Sequence, residues 1–235
     1  MKLSDIPKVI IVLGPPGSGK GSQATLLAEK LSFYYLETSK ALEEKFQNAK
    51  GKEFVKVGSK KYFLRKEKKL RDTGFLCSPP FVAYLLKEKI KSLYDDGKNI
   101  VLAGSPRTLY EGQEEIPLLK RIYGAKNIKV VLLEITPKET IFRNSNRRIC
   151  ELMRHPILYS KDNIKLKKCP LDGSKLIKRK GLDDPETIKV RLGEYKEKTL
   201  PLVGYFQKQG LRVSKINGSP PPALVFKNVL KVISR

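Results

Sequence analysis

Residues 8–13, Lys-Val-Ile-Ile-Val-Leu, form an aliphatic, β-branched run with no polar alternation, and they lead straight into Gly14-Pro-Pro-Gly-Ser-Gly19-Lys20. A strand that is apolar at successive positions is buried on both faces, which is the condition inside a parallel sheet covered by helices. The first covering helix follows at once: in KGSQATLLAEKL, residues 20–31, Ala24, Leu27, Ala28 and Leu31 recur at three- and four-residue steps and make one apolar stripe. Similar buried runs at 100–103 and 130–135 alternate with helical stretches at 81–91 and 110–123. That order predicts an α/β fold, a parallel sheet core flanked by helices. A helix over 184–208, a short strand at 211–214 and a closing helix from Ala223 complete it.

Two lysine-rich segments interrupt the alternation. Residues 40–71 hold twelve Lys and Arg against four Glu, and 149–181 carry Cys150, His155 and Cys169 among many lysines. Both read as excursions from one core, giving core segments 1–37, 74–147 and 183–235, a first insertion at 38–73 and a second at 148–182. A length of 235 residues fits such a domain with inserted subdomains. With 48 Lys and Arg against 24 Asp and Glu, the net charge of +24 favours polyanionic ligands without choosing among them. Nucleic-acid contact is expected to be non-specific at most, because the lysines lack the aromatic interleaving of a base-stacking platform. The longest early apolar run is too short for a signal-peptide core or a spanning helix, so no membrane partner is expected and the chain reads as cytoplasmic. Three cysteines without a secretory signal argue against a disulfide framework.

The chemistry is concentrated in the loop after the first strand. Gly14, Gly17 and Gly19 can take dihedrals closed to other residues, so successive N–H groups converge on phosphate oxygens, and the helix N-terminus adds its partial positive charge. Lys20 at the end of the loop is placed to bridge β- and γ-phosphate oxygens. Gly21 stands where the general phosphate-loop motif has Ser or Thr, with Ser22 one residue later.

The run GPPGSGKGSQ resembles the phosphate loop of the adenylate kinase and nucleoside monophosphate kinase family. Other motifs follow in family order. Thr38 in LETSKALEEKF is similar to the Thr of STGDxLR, and Gly104-Ser-Pro-Arg107-Thr108 to DG[FY]PRT. Arg143 and Arg147-Arg148 resemble the arginines at the entry to the lid. Asp183-Asp184-Pro-Glu186-Thr187 with Arg191-Leu192 resembles DDxxETxxxRL with one residue fewer, and Lys215-Ile-Asn-Gly218 the segment beside the ATP base.

This resemblance implies a P-loop NTPase fold whose insertions are a monophosphate-binding subdomain and a lid. It implies reversible transfer of the γ-phosphoryl group from Mg²⁺-bound ATP to a nucleoside monophosphate, AMP first among them, by a monomeric cytoplasmic enzyme of nucleotide biosynthesis. The ATP site implied is Gly14, Gly17, Ser18, Gly19, Lys20, Gly21, Ser22, Arg143, Arg147 and Gly218. The acceptor site implied is Thr38, Gly74, Leu76, Arg107 and Glu111. Lys20, Arg107, Arg147 and Arg191 are the implied catalytic set, with Arg179 a helper from the far side of the lid.

Departures from the family cluster near the acceptor and the metal. Glu43 takes the place of the arginine in STGDxLR, Lys40 that of its aspartate and Ala103 that of the aspartate in DG[FY]PRT. Arg65 and Arg71 are candidates to replace the lost arginine. Glu111, near the place of the glutamine that reads the acceptor base, either accepts from an exocyclic amine or is an exposed helix-start residue. In the lid, Cys150, His155, Cys169 and Asp172 have the chemistry of a zinc site, but Cys-x₄-His is not a usual knuckle spacing, and a metal-free lid is the favoured alternative. Cys77 reads as packing. The substitutions and the charge leave a second function open, an ATP-binding protein with weakened transfer that associates with RNA or ribosomes.

Overall fold

The computed structural model describes residues 6–47, 51–154, 156–179 and 181–234. Its centre is a five-stranded parallel sheet in the order β10-β6-β1-β5-β2, formed by Val213–Asn217, Ile128–Glu134, Val9–Leu13, Ile100–Ala103 and Tyr34–Glu37. β1 and β5 are buried at every residue, as their uninterrupted apolar sequences require. Alternate side chains of β1 enter two cores. Val9, Ile11 and Leu13 pack with α4 (Pro79–Asp95), α5 (Leu109–Tyr123) and α8 (Leu202–Lys208) through Phe81, Leu86, Ile116 and Phe206. Ile10 and Val12 pack with α1 (Lys20–Leu31) and α9 (Pro222–Ile233) through Leu27 and Val229. Each such large side chain contributes about 1.5–3 kcal/mol on full burial.

The expected alternation of strands and helices is present, with β2 added between α1 and α2 (Thr38–Gln47). The helix expected over 184–208 is three pieces: α7 (Pro185–Glu194), a π-helical turn at Tyr195–Thr199 and α8. No helix among the described residues is long and apolar enough to cross a membrane.

Each of the two segments expected to be insertions carries a small antiparallel sheet. In the first, β3 (Phe54–Val57) pairs with β4 (Lys60–Phe63), followed by α3 (Leu64–Asp72). Val55 and Tyr62 face the core, so the period-two rule sends Phe54, Lys56, Lys61 and Phe63 outward together. The two phenyl rings meet edge-on at 5.8 Å, with Lys61 over Phe54 and Lys66 over Phe63. Aromatic and basic residues therefore interleave across this hairpin, an arrangement hidden in the linear order. In the second insertion β7 (Arg148–Cys150) lies between β8 (Pro156–Ile157) and β9 (Leu176–Ile177).

Candidate active site

The carboxyl ends of β1, β5 and β2 lie side by side, and ligands of open α/β sheets bind at such an edge. The loop after β1 folds tightly over it. Gly14 has a φ of 148°, and a Cβ there would stand 2.5 Å from the Leu133 carbonyl oxygen and 2.6 Å from Ser18 Oγ, so only glycine fits. Gly19, also left-handed, leads into α1. Lys20, the first residue of α1, donates to the carbonyl oxygens of Gly14 at 2.7 Å and Pro15 at 2.8 Å. Ser18 is buried, and Gly21 and Ser22 open the first turn of the helix.

Three arginines act on Lys20 at the end of this loop, and a fourth, Arg179, acts on one of them, Arg191. Burial and the charges of Arg107, Arg191 and Arg147 hold the Lys20 ammonium well below the usual lysine range. Burial, then Arg179, Arg147 and Arg107, push the Arg191 guanidinium down to about 9, and burial with Arg147 pushes Arg179 down to about 10. The Asp183 carboxylate works the other way. It is 7% exposed, takes the Arg147 guanidinium through both Nε, at 3.2 Å, and Nη2, and lies 3.8 Å from Arg191, which also donates to the Leu182 carbonyl at 2.9 Å. One buried acid thus holds two arginines in place while the set keeps a large excess of positive charge. Such a cluster is complementary to a polyphosphate.

The loop after β5 brings in Arg107. A Cβ on Gly104 would lie 2.7 Å from an Arg107 guanidinium nitrogen, so this glycine is the floor on which the arginine rests. The expected role of Glu111 at the acceptor's base does not match its placement. Glu111 is 2% exposed, and its carboxylate accepts from Arg107 N at 2.8 Å, Ser105 Oγ at 3.1 Å and Thr108 Oγ1 at 3.2 Å, while Thr108 accepts the Glu111 N–H. It closes a variant of the capping box at the start of α5, taking the N–H of the residue before the Thr108 cap, and is buried where a surface glutamate was the alternative.

Around the expected acceptor pocket, Thr38 is 2% exposed at the start of α2, and its hydroxyl has no partner among the described residues. Gly74, with a φ of 91°, passes so close to α7 that a Cβ would meet Thr187 Cγ2 at 2.8 Å. The Leu76 N–H is taken at 3.0 Å by Glu194, which Lys198 also contacts at 2.7 Å. The helix that carries Arg191 is thereby fastened to the 74–76 loop. Of the two candidate replacements for the lost arginine, Arg71 lies 3.7 Å from Glu43 and over the Phe46 ring, whereas Arg65 is exposed. Cys77 is buried, with its thiol on the Glu67 carbonyl, and burial pushes it up to about 12, which fits packing.

Where ATP is expected, Arg143 pairs with Glu139 at 2.6 Å and donates to the carbonyls of Gly218 at 3.0 Å and Ser219 at 2.8 Å. It fastens α6 (Pro137–Asn146) to the loop after β10, beside the phosphate loop. Ala103 and Lys40 supply no carboxylate. The acid at this edge is Glu37, which pairs in register with Ala103, accepts from Ser39 Oγ and acts electrostatically on Arg179 and Tyr35. Sequence reading missed it, along with Asp183 and Glu194 as fasteners; the register Glu37–Ala103 was the signal for the first, once β2 was recognised.

In the segment expected to form a lid, the ligand atoms of Cys150, Cys169 and Asp172 lie within 4.8 Å of one another. The Cys150 thiol donates to Asp172 at 2.9 Å, Ser174 Oγ does so at 2.7 Å, and these bonds, the thiol's first, hold the Asp172 carboxyl well below the usual range. His155 lies outside the described residues, and no other His, Cys, Asp or Glu joins the three among those described.

A parallel sheet with a glycine loop and lysine after its first strand, faced by a ring of arginines, defines a P-loop phosphotransferase. The family model for adenylate kinase matches residues 12–211. The chain is 32% identical over 228 residues to an adenylate kinase of Methanothrix thermoacetophila, covering 96% of this chain and 98% of that protein. It is 33% identical over 231 residues to one from Clostridium botulinum strain Langeland, with 96% and 98% covered. A third, from Chlamydia pneumoniae, is 30% identical over 225 residues, with 96% and 97% covered. The chain belongs to the adenylate kinase family, and it is a nucleotide phosphotransferase.

Proposed function

We propose that the enzyme catalyses ATP + AMP = 2 ADP. The observation that carries this reading is the convergence of Arg107, Arg147 and Arg191 on Lys20, with Arg179 acting in turn on Arg191, an excess of positive charge matched to two phosphate chains meeting end to end. ATP lies along the 14–22 loop, with its base toward Arg143 and Gly218. AMP lies between the 38–73 insertion and the 74–76 loop, where Thr38 and Arg71 face it and Arg107 grips its phosphate. An AMP phosphate oxygen attacks the γ-phosphorus as the bond to the ADP oxygen breaks, with the charge spread over the equatorial oxygens and no enzyme nucleophile. Lys20, Arg147, Arg179 and Arg191 neutralise that charge, and closure of 148–182 excludes water.

Mg²⁺ favours hard oxygen donors, chiefly substrate phosphates, water and one or two carboxylates. Glu37 and the Ser22 hydroxyl meet that requirement, so the residues present fit the ion, although Ala103 and Lys40 do not contribute. Bound with ATP, Mg²⁺ supplies charge neutralisation on the phosphates. The reading of an RNA- or ribosome-associated protein with weakened transfer draws no support from the relatives above, which carry the name of the enzyme.

A coupled assay of ADP formation with ATP and, in turn, AMP, CMP and UMP tests the proposal. AMP should give the highest kcat/KM, and ATP loss without an acceptor should be slow. Turnover independent of any monophosphate contradicts it.

A further inference from the structure

Under the Arg107 loop, α5 buries two carboxyl groups one turn apart. Glu111 is 2% and Glu115 0% exposed, and both reach one hydroxyl: Ser105 Oγ lies 3.1 Å from Glu111 Oε2 and 2.6 Å from Glu115 Oε1. A serine hydroxyl carries a single proton, so it donates to one of these oxygens only. At the other contact the proton comes from a carboxyl group. The surroundings decide which. Glu111 also receives the Arg107 N–H and the Thr108 hydroxyl, and such donors favour a carboxylate. Glu115 has no second donor, and its Oε2 is buried without a partner among the described residues. A neutral carboxyl tolerates that far better than an ion.

The charges around the pair agree. Burial and Glu111 raise the Glu115 carboxyl well above the usual range, opposed by the hydrogen bond with Ser105 and then by Lys87 of α4, which is itself paired with Glu114 at 2.5 Å. Burial raises Glu111 as well, opposed by its hydrogen bond from Arg107 and that residue's charge. From α8, Tyr205 flanks Gly112 with its phenol raised by burial, and Lys120 of α5 is turned to the Gln209 carbonyl. Cys77, before α4, is held neutral with its thiol at about 12. β6, the remaining strand against α5, adds no charge to those acting on Glu115.

We propose that Glu115 is a proton-holding positioning residue: its carboxyl donates to Ser105 Oγ, Ser105 donates to the Glu111 carboxylate, and Glu111 fixes the Arg107 N–H. The inference rests on the reading of Arg107 as the residue that grips the acceptor phosphate. When the Glu115 proton is lost to hydroxide, two buried carboxylates contest one hydroxyl proton, and the hold on Arg107 loosens. Acceptor binding then weakens at alkaline pH while ATP binding does not.

Two measurements on the full chain and its Glu115→Gln variant test this. Infrared spectra at neutral pH should show a protonated-carboxyl band in the parent that is absent from Glu115→Gln; a parent without the band overturns the inference, whatever the variant does. In steady-state kinetics from neutral to alkaline pH, the parent's KM for AMP should rise about tenfold, the scale of one strong hydrogen bond lost, with KM for ATP nearly flat. Glu115→Gln, whose amide donates to Ser105 at every pH, should keep the parent's neutral KM throughout. A parallel rise in the variant, or an elevated KM at neutral pH, overturns the relay. An enzyme that turns over AMP but lacks the band defeats this inference alone; a banded parent inactive with AMP supports the buried proton and defeats the functional reading.

Discussion

Lys20 illustrates how far one position can be specified by its surroundings. Its ammonium faces three arginine charges and is tied to two loop carbonyls, an arrangement that favours a polyphosphate over any neutral ligand. Lys20→Met should lower kcat by about 10²–10³ or more, the cost of removing a donor aimed at developing charge, and leave Tm close to the parent's. Stopped-assay kinetics beside a thermal melt check both halves, and near-normal turnover contradicts the assignment. Arg107→Ala should raise KM for AMP far more than KM for ATP; equal effects would place Arg107 on the donor side. For Glu37, the test is the metal. Glu37→Gln should raise the Mg²⁺ concentration needed for half-maximal rate with little change in Tm, and an unchanged Mg²⁺ titration would remove Glu37 from the metal's surroundings.

At the level of elements, α5 carries the clearest consequence for stability. An unfolded glutamate ionises near about 4.3, whereas folding raises Glu115 well above the usual range. Between those two values the folded chain binds one more proton, so this contribution is whole below the unfolded pKa and is lost as pH rises through the folded one, by up to about 1.4 kcal/mol per pH unit. Glu115→Gln should therefore flatten the fall of stability with pH and raise Tm at neutral pH by a few degrees, measured as melts across a pH series. A variant with the parent's slope would show that Glu115 does not carry it.

The elements also show what the sequence disclosed. β1, the 14–20 loop, α1 and β5 were legible because burial on both faces leaves an unbroken apolar signature and phosphate binding leaves a glycine pattern. β2 was not, since Tyr-Tyr-Leu-Glu is four residues with only Leu36 fully buried. The hairpin of β3 and β4 was masked by its lysines, and β7, β8 and β9 by their length of two or three residues. Glu111 misled for a different reason. Position in a motif says where a side chain starts, and the nearby hydroxyls of Ser105 and Thr108 decided where its carboxylate went.

Across the whole molecule, the net charge of +24 surrounds a site that already needs anions. The exposed Phe54–Phe63 pair with its lysines adds a stacking surface on the first insertion. Adhesion to short single-stranded RNA should therefore be measurable at low salt and fall with a log–log slope of about −0.7 per phosphate neutralised, fading near physiological ionic strength. Tight binding that survives there and is not displaced by ATP would show a dedicated nucleic-acid site and contradict the expectation of incidental contact.

In the proposed reaction the arginine ring passes one phosphoryl group between two nucleotides. The most direct test follows the atom itself: a single turnover of ATP labelled in the γ-phosphoryl, with AMP and Mg²⁺, quenched and resolved by nucleotide. The label should appear as the β-phosphoryl of ADP newly made from AMP, with almost none as inorganic phosphate. Label released as phosphate at a rate indifferent to AMP would contradict transfer between nucleotides.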